Sequence, residues 1–156
     1  MPKAAAATEN GTAKSAASRI EEIEARRAAR RGQHADERQV QLCFDLEALD
    51  ELEVAHGDDA VVRIDLDRYL PGLPTMVLAR LPKPTEFKRY QDTVKGRGQR
   101  EGDPIEASNI LALACVLYPE KEVYERVREA FPPLHMNLAN TILKAAQGRA
   151  AEEGKG

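Results

Sequence analysis

The feature that most constrains the fold of this chain is an almost purely apolar segment, residues 110–117, that follows a strong helix start. Asp103 can cap a helix, Pro104 suits the first helical position, and Glu106 places an acid in the first turn. Because residues 110–117 are apolar nearly all the way round, a helix through them must be covered on every side. The sequence therefore predicts a central core helix.

The segments around this helix are also predicted to be helical and are separated by prolines. Thr85 can cap a helix over residues 86–94, and a further helix spans 120–130 until Pro132 and Pro133 break it. A last helix covers 134–147 and is predicted to end at Gly148, which leaves 149–156 as a flexible tail. Short connections between such helices favour a compact helical module over residues 84–148.

Upstream of this module, residues 38–83 are predicted to be a small segment that contains strands. Residues 60–66 alternate apolar and polar side chains from Val62 onward, and residues 75–81 are predicted to be a second strand that Pro82 and Pro84 end. The turn at Pro71-Gly72 between them favours an antiparallel pairing. Residues 38–44 alternate in the same way, and Asp45 can then cap a short helix that Gly57 ends. A single helix over residues 37–56 is the rival interpretation.

The N-terminal part is predicted to be a flexible arm, residues 1–17, followed by a charged helix and linker, residues 18–37. Ser18 is the expected cap, and Gly32 is the expected end of the helix. Since only Ile20 and Ile23 are large and apolar there, we expect this helix to be exposed unless a partner covers it. Its second half carries four arginines at positions 26, 27, 30 and 31.

Taken together, these segments predict an α+β fold, mainly α, with a small antiparallel sheet before a compact C-terminal helical bundle. A length of 156 residues allows one modest domain with tails. The formal net charge is −3, distributed as +2 over residues 1–39, −5 over 40–83 and zero over 84–156. This distribution does not favour a general grip on nucleic acid.

No combination of residues in the sequence predicts catalysis, a cofactor site or a metal site. The histidines, His34, His56 and His135, stand in different elements without partners at ligand spacing, and no nucleophile motif is present. The acids of residues 45–67 are interpreted as solvated faces. The glycine-rich segment 96–102 lacks the phosphate-loop pattern and is interpreted as a flexible connector. We therefore expect a binding protein and not an enzyme.

Three other features bear on partners and location. The arginines of 26–31 are interpreted as a protein-contact or solvated surface, and Leu46, Leu49 and Leu52 as a stripe that is either buried under the sheet or open to a partner. Cys43 and Cys115 are predicted to be buried thiols, as in a reducing compartment. No segment approaches the roughly 20 apolar residues of a membrane span, and no signal peptide is evident, so a cytoplasmic location is expected.

The order of elements resembles the tail assembly chaperones of long-tailed bacteriophages. The resemblance covers roughly residues 76–148 and rests on the run 77–90, on the apolar helix ending in Cys115-Val116-Leu117-Tyr118-Pro119, and on the two helices that follow, to Gly148. Residues 38–52 are also similar to tail-gene products of such phages. The family has no catalytic residues to carry over.

The resemblance implies a non-enzymatic protein in the host cytoplasm that binds the tape measure protein and helps tail tube protein polymerise around it. Self-association is left open, and neither membrane nor nucleic acid is an expected partner. A ribosomal frameshift near codons 153–155 could yield a longer form, which the gene sequence would decide. The alternatives are a structural virion component, such as a minor tail or connector protein, and a regulatory nucleic-acid binder that uses the arginines of 26–31.

Overall fold

The computed structural model describes the backbone of residues 2–155 and the side chains of residues 15–154. It confirms the predicted class, mainly α with a small antiparallel sheet. The elements are α1 (Pro2–His56), a 3-10 turn (Asp58–Ala60), β1 (Val61–Asp65), β2 (Met76–Arg80), α2 (Pro84–Lys95), α3 (Pro104–Cys115), β3 (Val116–Tyr118), α4 (Lys121–Ala130) and α5 (Leu134–Lys155). The chain divides into two compact units, Met1–Gln39 and Val40–Gly156.

The sheet has the order β1-β2-β3, and both neighbouring pairs are antiparallel. Val61 lies opposite Arg80 and Asp65 opposite Met76, so the predicted antiparallel pairing of residues 60–66 with residues 75–81 is confirmed. Gly72, in the connection between β1 and β2, has a φ of 81°, a conformation that glycine adopts without steric cost. Because β2 is the central strand, residues 76–79 are completely buried.

The third strand was not predicted, because the sequence analysis extended the core helix through residue 117. α3 instead ends at Cys115, and Val116 turns into an extended conformation with φ −59° and ψ 127°. Tyr118 then pairs with Leu78 on β2. β-branched and aromatic side chains fit a half-buried strand surface, and an open edge of β2 was available to pair with them.

The predicted core helix and its start are confirmed. The Asp103 carboxylate accepts hydrogen bonds from the backbone N–H groups of Ile105 and Glu106, at 3.1 and 3.0 Å. α3 packs closely against both α2 and α5, and α5 also packs against β1. The buried core comprises Val62, Leu66, Val77, Ala79, Leu111, Ala112, Cys115, Tyr124, Val127, Leu134, Leu138, Ala139 and Ile142.

The interpretation of residues 38–56 as a strand and a short helix is wrong, and the rival single helix is correct. α1 continues through Gly32 and through residues 38–44, and Asp45 lies in its interior instead of capping a new helix. A glycine inside a helix costs about 1 kcal/mol relative to alanine, and the surrounding Ala, Arg, Gln and Glu residues offset this cost. Gln33 also donates to the Glu37 carboxylate at 2.9 Å, one turn past the glycine.

The two chain ends also differ from expectation. Most of the predicted flexible arm, residues 1–17, lies outside the described side chains; residues 15–17 within it are helical. The predicted end of the last helix at Gly148 is wrong, because α5 continues to Lys155. An ion pair between Arg149 and Glu153, at 3.2 Å and four residues apart, supports this last part of the helix.

A half-buried ion pair joins the sheet to the helical module. The Arg80 guanidinium donates two hydrogen bonds to the Glu86 carboxylate, at 2.7 and 2.8 Å, and a third to the carbonyl of Ala114. Glu86 also accepts from the backbone N–H of Lys83, so Lys83, and not the predicted Thr85, is the N-cap of α2. These contacts hold the ends of β2, α2 and α3 together.

This ion pair predicts a specific pH dependence of stability. Hydrogen bonding from Arg80 lowers the Glu86 pKa from its ordinary value of 4.5 to about 2. A carboxyl whose pKa is lowered on folding stabilises the fold above its unfolded pKa, and this stabilisation is lost as the pH falls from 4.5 toward 2. We therefore expect Glu86→Gln to lower the urea midpoint at pH 7, and the gap to the unmodified protein to close below pH 4.5. A gap that is independent of pH would contradict the assignment.

Candidate protein-binding surface

Two apolar side chains one turn apart on α1, Val40 and Phe44, are exposed to solvent, and we call them the apolar stripe. They are 59 % and 60 % exposed. Residues four apart on a helix lie on one face, so the two side chains form a continuous apolar surface. Isolated exposed apolar residues are common on protein surfaces. An exposed valine and phenylalanine four residues apart form the kind of ridge that packs into the groove of a second helix.

The orientation of this part of α1 is set by the residue next to Phe44. Asp45 is completely buried and its carboxylate accepts four hydrogen bonds. One oxygen accepts from the Thr75 backbone N–H at 2.7 Å and from the Thr75 hydroxyl. The other accepts from the Gln41 amide at 2.8 Å and from the Tyr118 hydroxyl. Asp45 thus fastens α1 to the residue before β2 and to the end of β3.

The tyrosine in this network stays protonated over the whole physiological range. Burial raises the pKa of the Tyr118 hydroxyl, and the hydrogen bond to the Asp45 carboxylate raises it further. The hydroxyl therefore remains a donor to Asp45. Since a buried carboxylate without hydrogen-bond donors is costly, this network allows an acid to sit inside the fold.

With Asp45 directed into the protein, the residues on either side of it point elsewhere. Phe44 is exposed as described, and Leu46 is 41 % exposed. The predicted leucine stripe is therefore divided: Leu46 is open, whereas Leu49 and Leu52 are half-buried. The sequence analysis left both outcomes open for these three residues, and it missed both the apolar stripe and its anchor.

The two cysteines occupy opposite environments. Cys115 is buried at the end of α3, where burial raises its thiol pKa to about 11, and this confirms half of the prediction. Cys43 is exposed on α1, so the prediction that it is buried is wrong. The prediction rested on the apolar neighbours of Cys43, and those neighbours do not decide which face of α1 residue 43 occupies. Both are free thiols in the structure.

The glycine-rich segment is the connector between α2 and α3, and backbone hydrogen bonds close it into a loop. Gly96 has a φ of 77°, and the backbone N–H of Asp103 donates to the Thr93 carbonyl at 3.0 Å, which closes the loop. The loop, α2 and the start of α3 border an open groove of about 590 Å³. Arg97 in this groove pairs with Asp92 at 2.6 Å, and Asp103 occupies the helix start, so the groove presents both signs of charge.

The side chains of residues 15–154 contain no group of three or more His, Cys, Asp or Glu residues placed to hold a metal ion. Within the same residues, no helix is long and apolar enough to cross a membrane. The arginines at 26, 27, 30 and 31 all lie exposed on α1. The chain gives no match to protein-family models, to curated proteins or to solved structures.

Proposed function

We propose that this protein is a non-enzymatic phage tail assembly chaperone that binds an apolar helical segment of the tape measure protein on the apolar stripe. The observation that supports this proposal is an apolar ridge, Val40 and Phe44, on a helix whose orientation is fixed by the buried Asp45. Because the apolar stripe is already held in place, a partner helix can bind it without the loss of conformational entropy that ordering α1 would require. The resemblance of residues 76–148 to tail assembly chaperones supplies the identity of the partner.

The contact would be a helix packed against a helix. Side chains spaced by four residues form the ridges that pack into the groove of a second helix, and aromatic residues contribute most to such contacts. The surface next to the ridge carries Glu47 and Glu51, which lie one and two turns beyond Phe44 and are exposed. A segment that carries apolar residues next to lysine or arginine would therefore fit this surface best.

Co-expression with the tape measure protein tests the proposal. We expect the unmodified chain to keep the tape measure protein in the soluble fraction. The double variant V40S/F44S should bind it at least about tenfold more weakly, which corresponds to a loss of about 1.4 kcal/mol in binding free energy. Ile105→Ser is the matched control, because Ile105 is 59 % exposed but lies on α3. Equal solubility with and without the chain, or equal loss in the control, would contradict the proposal.

A structural virion component is the second candidate, and one observation favours it. Every described side chain from residue 16 to residue 33 of α1 is exposed, a surface that neighbours in an assembly would cover. The two functions differ in the mature particle. Mass spectrometry of purified particles should find a structural component in stoichiometric amount, whereas an assembly chaperone should be absent.

A further inference from the structure

The N-terminal unit carries two adjacent blocks of opposite charge on one exposed helix. Glu21, Glu22 and Glu24 form the acidic block, and Arg26, Arg27, Arg30 and Arg31 form the arginine block. Between and beside them lie Ile20 and Ile23, which are 56 % and 46 % exposed. Nothing within this unit covers any of these described side chains, since its described residues are one helix.

Among the described side chains, the arginine block has no acidic partner in an ion pair. None of the ion pairs formed by the described side chains involves Arg26, Arg27, Arg30 or Arg31. Arg26 makes one long hydrogen bond, 3.4 Å, to the backbone carbonyl of Glu22. Arg26 and Arg30 stand four residues apart, as do Arg27 and Arg31, and like charges at this spacing destabilise an isolated helix.

The pattern is self-complementary in one orientation only. If two such helices lie side by side and parallel, in register, each arginine block faces another arginine block. If they lie antiparallel about residues 25–26, the acidic block of each copy faces the arginine block of the other. A two-fold axis repeats every favourable contact, as expected for an isologous dimer. The same arrangement also lets Ile20 and Ile23 pack against the alanines and arginine stems of the opposite helix.

We propose that residues 18–33 of α1 pair antiparallel with the same segment of a second copy, forming a homodimer held by acidic-block to arginine-block contacts. The proposed pairing uses residues 18–33, a segment that does not include Val40 and Phe44. A second copy fits better than an unrelated acidic helix, because the one chain supplies both complementary blocks at matching distances from the same centre. Exposed ion pairs are screened by salt, so the dimer weakens as the salt concentration rises.

Sedimentation of the full chain, with charge-reversed variants, tests this pairing. We expect a dimer at about 0.05 M salt that dissociates toward monomer at about 0.5 M, where charges are screened over a few ångströms. The variant R26E/R27E/R30E/R31E and the variant E21K/E22K/E24K should each raise the dissociation constant at least about tenfold. Mixing the two variants should restore a dimer, because both blocks are then acidic on one helix and basic on the other. A monomer at every concentration, or reversed variants that dimerise as before, would overturn the proposal.

Disulfide trapping in a Cys43→Ser background decides the orientation. Ser18→Cys mixed with Gln33→Cys should form a cross-linked heterodimer, because the antiparallel pairing brings these two positions together. Ser18→Cys alone should stay uncross-linked. A Ser18→Cys homodimer would show a parallel pairing and overturn the proposed orientation. Tyrosine fluorescence shows whether each variant is folded, since all four tyrosines lie outside the substituted residues. They are Tyr69, Tyr90, Tyr118 and Tyr124.

Discussion

Asp45→Ala is expected to lower the free energy of unfolding of the unit Val40–Gly156 by about 3 kcal/mol, because it leaves two buried and two part-buried donors without an acceptor. The lost acceptor serves the backbone N–H and hydroxyl of Thr75, the amide of Gln41 and the hydroxyl of Tyr118. The mutation also leaves a small cavity at a completely buried position. Loss of this anchor would free the helical segment that carries the apolar stripe.

Tyrosine fluorescence during urea unfolding measures this loss of stability in the unit that contains Asp45. The protein has four tyrosines and no tryptophan, and all four lie in the unit Val40–Gly156. Asp50→Ala is the control on the same helix, since Asp50 is exposed and should change the stability by less than about 0.5 kcal/mol. Asp45→Asn separates the effect of side-chain volume from that of hydrogen bonding. Asparagine has nearly the same size as aspartate, but its amide group replaces one acceptor oxygen with a donor. An Asn variant as stable as the unmodified protein would contradict the role given to the carboxylate.

Gly102→Ala is expected to be the second large loss, about 3 kcal/mol, because a methyl group at this position meets the backbone. A Cβ built on Gly102 would lie 1.8 Å from the carbonyl oxygen of Val94 and 2.7 Å from its carbonyl carbon. Neither atom can move without shifting the end of α2. The loop that joins α2 to α3 would have to open, and the start of the core helix would shift with it.

The same urea titration measures this loss. Gly148→Ala is the matched control, since Gly148 lies inside α5 with no atom within 4 Å of an added Cβ. Alanine favours a helix over glycine by about 1 kcal/mol, so the control should gain a little stability. If Gly102→Ala were as stable as Gly148→Ala, the close approach of the loop to α2 would be wrong.

The sequence predicted most where a signal is local. Asp103 and Pro104 mark the start of α3 through contacts within one helical turn, so their pattern is sufficient. The alternation of residues 60–66 predicted β1, and the short apolar run of residues 75–81 before Pro82 predicted β2, which is buried on both faces. The candidate surface was not predicted, since its anchor joins Asp45 to Thr75, 30 residues away, and to Tyr118, 73 residues away.

Residues 38–56 show why some elements could not be predicted from the sequence without the tertiary structure. Val40, Leu42 and Phe44 alternate as a strand would, yet helical spacing relates Gln41 to Asp45, and both patterns are present in the same residues. The tertiary structure decides between them: Asp45 is buried and Gln41 is half-buried, whereas Cys43 between them is exposed, and this arrangement fits a helix but not an alternating strand. The sequence by itself determined the class of fold, the core helix and the sheet pairing. The tertiary structure decided which acid is buried and which apolar residues remain exposed, because these depend on contacts between distant parts of the chain.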